Sequence, residues 1–257
     1  MISEYSIKII SSLLFSVLPG SGTILAQETG AGIVELLASG DSLFELDDYF
    51  GSAVYYEMAA GVDSAAFDPF WKMGRSLNLR GETAPRDSQL AIFEKARDAE
   101  VHALRLNDDS ADAHFQLARA LGKIALFKGV FKSVGLAKRV KREAERALAI
   151  DSLHDGAWHV LGRWHREIGK KSKILRKPLG LGAANKEDAV AFMQRAIDLN
   201  PANVNHRLEM GITYAEYKKK ELARIEFEKC VELPVQGPLD EKYKAESKKY
   251  MAVMGDR

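Results

Sequence analysis

Apolar and small residues recur in the C-terminal half of the chain at spacings typical of paired helices. Within residues 204–234, Gly211 and Ala223 are small, whereas Met210, Tyr214 and Phe227 are large and apolar or aromatic. A small residue suits the point where two helices cross closely, because a longer side chain would push the helix axes apart. The pattern therefore predicts two antiparallel helices packed against each other.

The same pattern occurs three more times upstream, in the segments Phe70–Leu77, His114–Leu121 and Trp158–His165. Repeats therefore begin near residues 67, 111, 155 and 204, at spacings of 44, 44 and 49 residues. The tetratricopeptide repeat (TPR) has this helix–turn–helix pattern with a shorter spacing of about 34 residues. The extra residues fall between the two helices of a repeat. The sequence predicts an all-α, right-handed TPR-like α-solenoid of about ten antiparallel helices.

The regions flanking these repeats have helical patterns of their own. We predict a degenerate N-terminal helical repeat over residues 27–66, in which Gly40 and Asp41 end one helix and a second helix covers Ser42–Ala60. Four TPR-like repeats follow over residues 67–237. Residues 238–257 are predicted to form a capping helix, whose charged outer face suits the open end of a solenoid.

The first 26 residues have the pattern of a secretory signal peptide. Lys8 precedes a short apolar run from Ile9 to Leu18, and Ala26 ends the segment before a polar residue. The run is too short to span a bilayer comfortably. We expect cleavage after Ala26 and export to the periplasm or beyond; the alternative is an uncleaved N-terminal membrane anchor.

Composition narrows the functional classes. The 257 residues carry a net charge of +1, so no global electric field indicates nucleic acid as a partner. Cys230 is the only cysteine, which excludes an intrachain disulfide and a cysteine-built metal site. His154, His159 and His165 lie near one another in the sequence but on different helix faces, so we predict no metal site. No arrangement of nucleophile and base has a supporting context, and we predict no enzyme activity and no cofactor.

Several segments resemble the regulator of microtubule dynamics family, whose members carry a divergent TPR-like domain. The resemblance covers about residues 34–254. It is carried by the segments 35–41, Trp71–Leu77, Glu143–Gly162 and 188–234, and it extends to the basic insertion before Pro178. It implies an all-α scaffold that acts through partners and has no catalytic residues. We do not expect the microtubule activity to transfer, because an exported bacterial-type chain does not meet microtubules.

Positions 5, 9 and 12 of the first helix in each repeat are expected to face the concave groove of the solenoid. Arginine recurs at one of these positions, beside aromatic residues, and guanidinium groups bind carboxylates. We therefore predict that the groove binds a protein or peptide, acidic or with a free C-terminal carboxylate. The alternative is that the arginines pair with acidic residues inside the solenoid. The predicted groove residues are Trp71, Arg75, Asn78, Phe115, Arg119, His159, Arg163 and Arg166.

Two insertions between paired helices are strongly basic. Both should emerge on the same edge of the solenoid, where they could contact an anionic membrane surface or another polyanion. The alternative is that their apolar residues cover additional core while the lysines stay solvated. The residues of this predicted basic edge are Lys128, Lys132, Lys138, Arg139, Lys170, Lys171, Lys173, Arg176 and Lys177.

Overall fold

The computed structural model describes residues 32–129 and 132–255; the predicted signal peptide lies outside these ranges. The described part contains twelve helices and no strand, which confirms an all-α chain with more than the expected ten or so helices. The helices are α1 (Ile33–Glu45), α2 (Tyr49–Val62), α3 (Phe67–Thr83), α4 (Arg86–Leu106), α5 (Ala111–Lys128), α6 (Val134–Ile150), α7 (Asp155–Gly169), α8 (Lys173–Arg176), α9 (Lys186–Leu199), α10 (Val204–Glu216), α11 (Lys220–Glu232) and α12 (Asp240–Gly255).

The predicted helix boundary at Gly40 and Asp41 is wrong. Helix α1 continues through both residues to Glu45, and the turn comes later, where Asp47 has a φ of 60° and Asp48 caps α2. Gly40 instead allows close packing: a Cβ there would lie 2.5 Å from a ring carbon of Tyr56. The glycine marks a helix contact, and the aspartate cap marks the turn.

The extra residues of the second and third pairs lengthen helices more than loops. Helix α3 runs on to Thr83, α4 starts at Arg86 and spans 21 residues, and α5 reaches Lys128. After α7 the extra residues form a loop that contains the single-turn helix α8. Helices α3, α4 and α5 are therefore long, and a loop projects between α7 and α9.

The first helices of the four C-terminal pairs, α3, α5, α7 and α10, lie side by side and form the concave face. Their partners α4, α6, α9 and α11 form the outer layer. The packing at the last pair shows why small residues recur: a Cβ on Gly211 would lie 2.4 Å from the ring of Phe227, which is fully buried. Such a crossing brings the two backbones together and fixes their angle.

Helix α12 packs on α10 and α11 and also extends across the concave face. Its Tyr243 and the preceding Leu239 are buried in one apolar cluster with Leu79 of α3. Nζ of Lys242 donates a hydrogen bond of 2.6 Å to the carbonyl oxygen of Glu82 on α3. The C-terminal segment thus joins the last helix pair to α3.

Across residues 32–129 and 132–255, every helix falls short of the length and apolarity that crossing a bilayer requires.

Candidate functional site

A cavity of about 490 Å3 lies on the concave face between α5, α7, α10 and the C-terminal segment. Its apolar wall includes Phe115, Val160 and Leu126, and Tyr243 closes it from the C-terminal side. Its polar wall carries ionised side chains from α3, α5 and α7. Concave sites with mainly apolar walls and a few fixed polar groups are typical binding sites.

Glu82 of α3 holds two cations of α5 at one end of the cavity. Nζ of Lys123 lies 2.5 Å from Oε1 of Glu82, and a guanidinium nitrogen of Arg119 lies 3.6 Å from the same oxygen. Burial alone would raise the pKa of Glu82, but the charges of Lys123 and Arg119 outweigh it and lower that pKa to about 2. Burial lowers the pKa of Lys123, partly offset by Glu82. Glu82 therefore offsets one of the two positive charges within the groove wall.

Glu209 of α10 likewise forms ion pairs with two arginines of α7. Its carboxylate lies 2.7 Å from Arg166 and 3.3 Å from Arg163. Burial opposes ionisation, yet the two guanidinium groups hold the pKa of Glu209 well below its usual value. Arg166 is itself buried and donates further hydrogen bonds to the carbonyl oxygen of Glu209 and to Oγ1 of Thr213. Arg166 therefore joins α7 to α10.

The predicted groove residues Trp71, Arg75 and Asn78 lie outside the lining of the cavity. Arg75 stacks 3.7 Å from the ring centre of Phe44 on α1 and 4.9 Å from that of Trp71. Asn78 is fully buried and donates hydrogen bonds to both oxygens of Gln116. Asn78 is therefore a core contact between α3 and α5, and no partner can reach it.

Phe115 and His159 do line the cavity. Phe115 packs on the ring of His154 at 4.7 Å and over Gly156, where a Cβ would lie 2.6 Å from the phenyl ring. Nδ1 of His159 lies 2.8 Å from Nδ1 of His206. Phe115 therefore offers apolar surface, whereas His159 is committed to a partner on α10.

The histidine pair continues to a carboxylate. Nε2 of His206 donates to Oδ2 of Asp155 at 2.9 Å, so a neutral His206 accepts a hydrogen bond at Nδ1 from His159. Burial and the neighbouring His206 hold the pKa of His159 well below its usual value. Burial raises the pKa of Asp155, but the hydrogen bonds that this carboxylate accepts, chiefly from His206, outweigh burial, and the pKa is lowered to about 2. The other two histidines of this sequence segment have local roles: His154 caps α7, and His165 accepts a hydrogen bond from the backbone N–H of Asn185.

The predicted basic edge is only partly available. Lys128 pairs with Glu94, Arg139 with Glu143, and Lys170 with Glu167 and Glu216. Arg176 is buried and donates to backbone carbonyls. The exposed residues for which the described part of the chain shows no ion pair are Lys132, Lys138, Lys171, Lys173 and Lys177.

Sequence reasoning missed the contribution of the C-terminal segment to the groove. A capping helix was expected at the end of the solenoid, yet Leu239 and Tyr243 turn towards α3 and α5. One signal was present in the sequence: Leu239, Tyr243 and Ser247 follow one another at intervals of four, which places them on one helix face. All three are buried. That stripe indicates that this helix has a buried side in addition to its charged one.

The fold and the groove define the class of protein, a TPR-like solenoid. The structure is similar to that of TTC0263, a thermophilic TPR protein of Thermus thermophilus, with a TM-score of 0.61 and 13% identity over 86% of this chain and 100% of that chain. The structure of pilF from Pseudomonas aeruginosa gives a TM-score of 0.51 and 12% identity over 90% of this chain and 86% of that chain. The predicted TPR-like fold is confirmed.

Residues 36–255 match the model of the family Regulator of microtubule dynamics protein 1-3. The chain therefore belongs to this family. It is 21% identical to Regulator of microtubule dynamics protein 1 of Bos taurus over 235 residues, which are 88% of this chain and 73% of that protein. It is 22% identical to the bovine protein 3 over 206 residues, 76% of this chain but only 43% of that protein.

Proposed function

We propose that this chain is a non-catalytic scaffold that binds a short segment of a partner protein in its concave groove. The observation that carries the proposal is the cavity of about 490 Å3 on the face formed by the first helices of the pairs. Its volume is in the range of small-ligand and peptide side-chain pockets. TPR-like solenoids present this kind of extended concave surface to their partners.

The apolar side chains of the groove would supply the anchor. Phe115 and Val160 line the cavity from α5 and α7, and both are partly exposed. Binding energy in protein interfaces concentrates in a few well-packed side chains at the centre of the contact. An apolar or aromatic side chain of the partner, inserted between Phe115 and Tyr243, fits that requirement.

The arginines are less suited to acidic recognition than their spacing suggests. Arg119 and Arg163 already have carboxylate partners in Glu82 and Glu209. An acidic ligand would have to compete with carboxylates that are held in place, and it would gain only the difference. We propose that these ion pairs shape the groove and that the partner is recognised mainly through apolar contacts.

Gly122 provides a test that fills the cavity without removing any contact. It lines the groove on α5, and a Cβ there would meet nothing within 4 Å. Gly135, on α6, is also helical, exposed and unobstructed, but it does not line the cavity. Gly122→Phe and Gly135→Phe are therefore compared as test and control. Gly122 lies in the interior of α5, where replacing glycine should stabilise the helix by about 0.5 kcal/mol. Gly135 is the second residue of α6 and should gain less.

The experiment selects binders from a library of random peptides displayed on phage, using the full chain, and measures the affinity of a selected peptide. We expect Gly122→Phe to abolish binding and Gly135→Phe to retain it, with both variants at least as stable as the wild type. A peptide that binds both variants equally would place the site elsewhere and contradict the proposal. Enrichment of Asp and Glu among the selected peptides would restore the arginines as the recognition element.

A further inference from the structure

The loop between α7 and α9 exposes large apolar side chains at its tip. Ile174 is 84% exposed and Leu175 is 65% exposed, and the two are neighbours on the single-turn helix α8. Leu179 is 38% exposed a few residues further on. Isolated exposed apolar residues are common on protein surfaces, but a contiguous protruding group marks an interaction site.

The loop is held in place from its inner side, so the exposure is built into the fold. The buried guanidinium of Arg176 donates hydrogen bonds to the carbonyl oxygens of Lys171, Leu181 and Gly182 at 3.0, 3.2 and 3.3 Å. Leu181 is fully buried in the cluster that contains Leu117 and Trp164. Because Arg176 and Leu181 face inwards, Ile174 and Leu175 are kept in solvent.

Cations surround this apolar tip, and acids are absent from it. The sequence from 168 to 186 contains no Asp or Glu. The side chains of Lys171, Lys173 and Lys177 are exposed and form no ion pair with the described residues. Lys138 of α6 adds a further charge, since its Cε would lie 2.8 Å from a Cβ on Gly180. The two basic insertions thus meet at this loop.

We propose that residues 170–180 form a docking loop that binds the surface of an anionic phospholipid bilayer. Ile174 and Leu175 would enter the boundary between headgroups and acyl chains, and the unpaired lysines would lie at the level of the phosphates. Charge complementarity selects the anionic surface, because a protruding basic loop without acidic residues is attracted to it. An acidic protein could satisfy the lysines but would leave a protruding apolar tip without a matching groove.

The test uses the full chain and vesicles of phosphatidylcholine, with or without phosphatidylglycerol. We expect binding to the anionic vesicles only, and its loss at high salt. The triple variant Lys171→Gln/Lys173→Gln/Lys177→Gln should weaken binding on the order of a hundredfold, at about fivefold per lysine. Ile174→Ser/Leu175→Ser should weaken it about tenfold or more. Every variant keeps residues 1–31, so any contribution of that segment to vesicle binding is the same in all of them.

Two controls keep the proposal open to contradiction. Leu153→Ser/Val253→Ser removes two other exposed apolar side chains, each 62% exposed, and should leave vesicle binding unchanged. An environment-sensitive fluorophore on Ile174→Cys should shift to the blue with anionic vesicles and not with soluble polyglutamate; the native Cys230 is fully buried. Three results would contradict binding to a bilayer. The first is an equal loss of vesicle binding in Leu153→Ser/Val253→Ser, and the second is unchanged vesicle binding in Ile174→Ser/Leu175→Ser. The third is an equal fluorescence shift with polyglutamate, which would indicate a protein partner or non-specific binding instead.

Discussion

The concave groove and the docking loop are both basic in sequence, but their cations have opposite fates. In the groove, Glu82 and Glu209 come from neighbouring helices, form ion pairs with the cations and offset part of their charge. In the loop, Lys171, Lys173 and Lys177 have no carboxylate within ion-pair distance in the described structure. A basic residue is therefore available to a binding partner only when no carboxylate from another helix forms an ion pair with it. The groove cations hold the solenoid together, whereas the loop cations are free to meet a partner.

The largest expected effect comes from Glu209→Gln. This change removes the carboxylate partner of Arg163 and the shortest ion pair of the buried Arg166, which keeps Glu167 and the more distant Glu216. We therefore expect the free energy of unfolding to fall by about 3 kcal/mol in urea titrations. Glu228→Gln is the matched control, because Glu228 is exposed and its one ion pair among the described residues is with Arg224, one turn away. It should cost less than about 0.5 kcal/mol. Equal losses in the two variants would show that the groove pairs are no stronger than surface pairs.

The next effect is a pH dependence at Glu82. Its pKa is lowered from 4.5 to about 2 in the folded chain, so its stabilisation is present above about pH 4.5 and is lost as the pH falls towards 2. We expect Glu82→Gln to lower the free energy of unfolding by about 2 kcal/mol at pH 6, with the difference shrinking between pH 5 and pH 3. The measurement is urea unfolding of both proteins across this range. A difference that stays constant with pH would mean that the carboxylate charge is not what Lys123 and Arg119 require.

A smaller effect is expected at the contact that joins the C-terminal helix to α3. Lys242→Ala removes the hydrogen bond to the carbonyl oxygen of Glu82 and should cost about 1 kcal/mol or less. Amide hydrogen exchange should nevertheless increase in α12, while α9 stays protected. Lys248→Ala, on an exposed position of the same helix, should change neither quantity. Unchanged exchange in Lys242→Ala would mean that Leu239 and Tyr243 alone hold the helix across the groove.

The smallest effect on stability is expected in the docking loop. The triple Lys→Gln variant of Lys171, Lys173 and Lys177 should change the free energy of unfolding by less than about 0.5 kcal/mol, because these exposed side chains have no ion pairs to lose within the described structure. Lys123→Gln, which breaks the pair with Glu82, should cost clearly more. A destabilised triple variant would show that the loop lysines support the fold.

The fold class was predictable because it follows from local spacing. Gly211 and Phe227 occupy one crossing of paired helices, and that relation is visible as a fixed interval in the sequence. The ion pairs were not predictable, because Glu82 and Glu209 come from different helices than the cations they meet, and spacing within one helix carries no information about them. Asn78 shows the same limit: it shares a repeat position with Arg166, yet Gln116 holds it inside the core.

The stacking of Arg75 on Phe44 was beyond the repeat pattern altogether. Phe44 belongs to α1, which precedes the repeats from which the groove positions are counted. Likewise, the closure of the groove by Tyr243 depends on a helix that follows the last repeat. The ends of a solenoid are where its repeat rule stops applying, so their contacts with the groove have to be read from the structure.

The most direct test measures both kinds of binding on the same two variants. We predict that Gly122→Phe abolishes binding of the selected peptide and leaves binding to anionic vesicles unchanged. We predict the reverse for the triple Lys→Gln variant of the docking loop: vesicle binding is lost and the peptide still binds. If either variant impaired both activities while remaining folded, the separation between groove and loop would be contradicted.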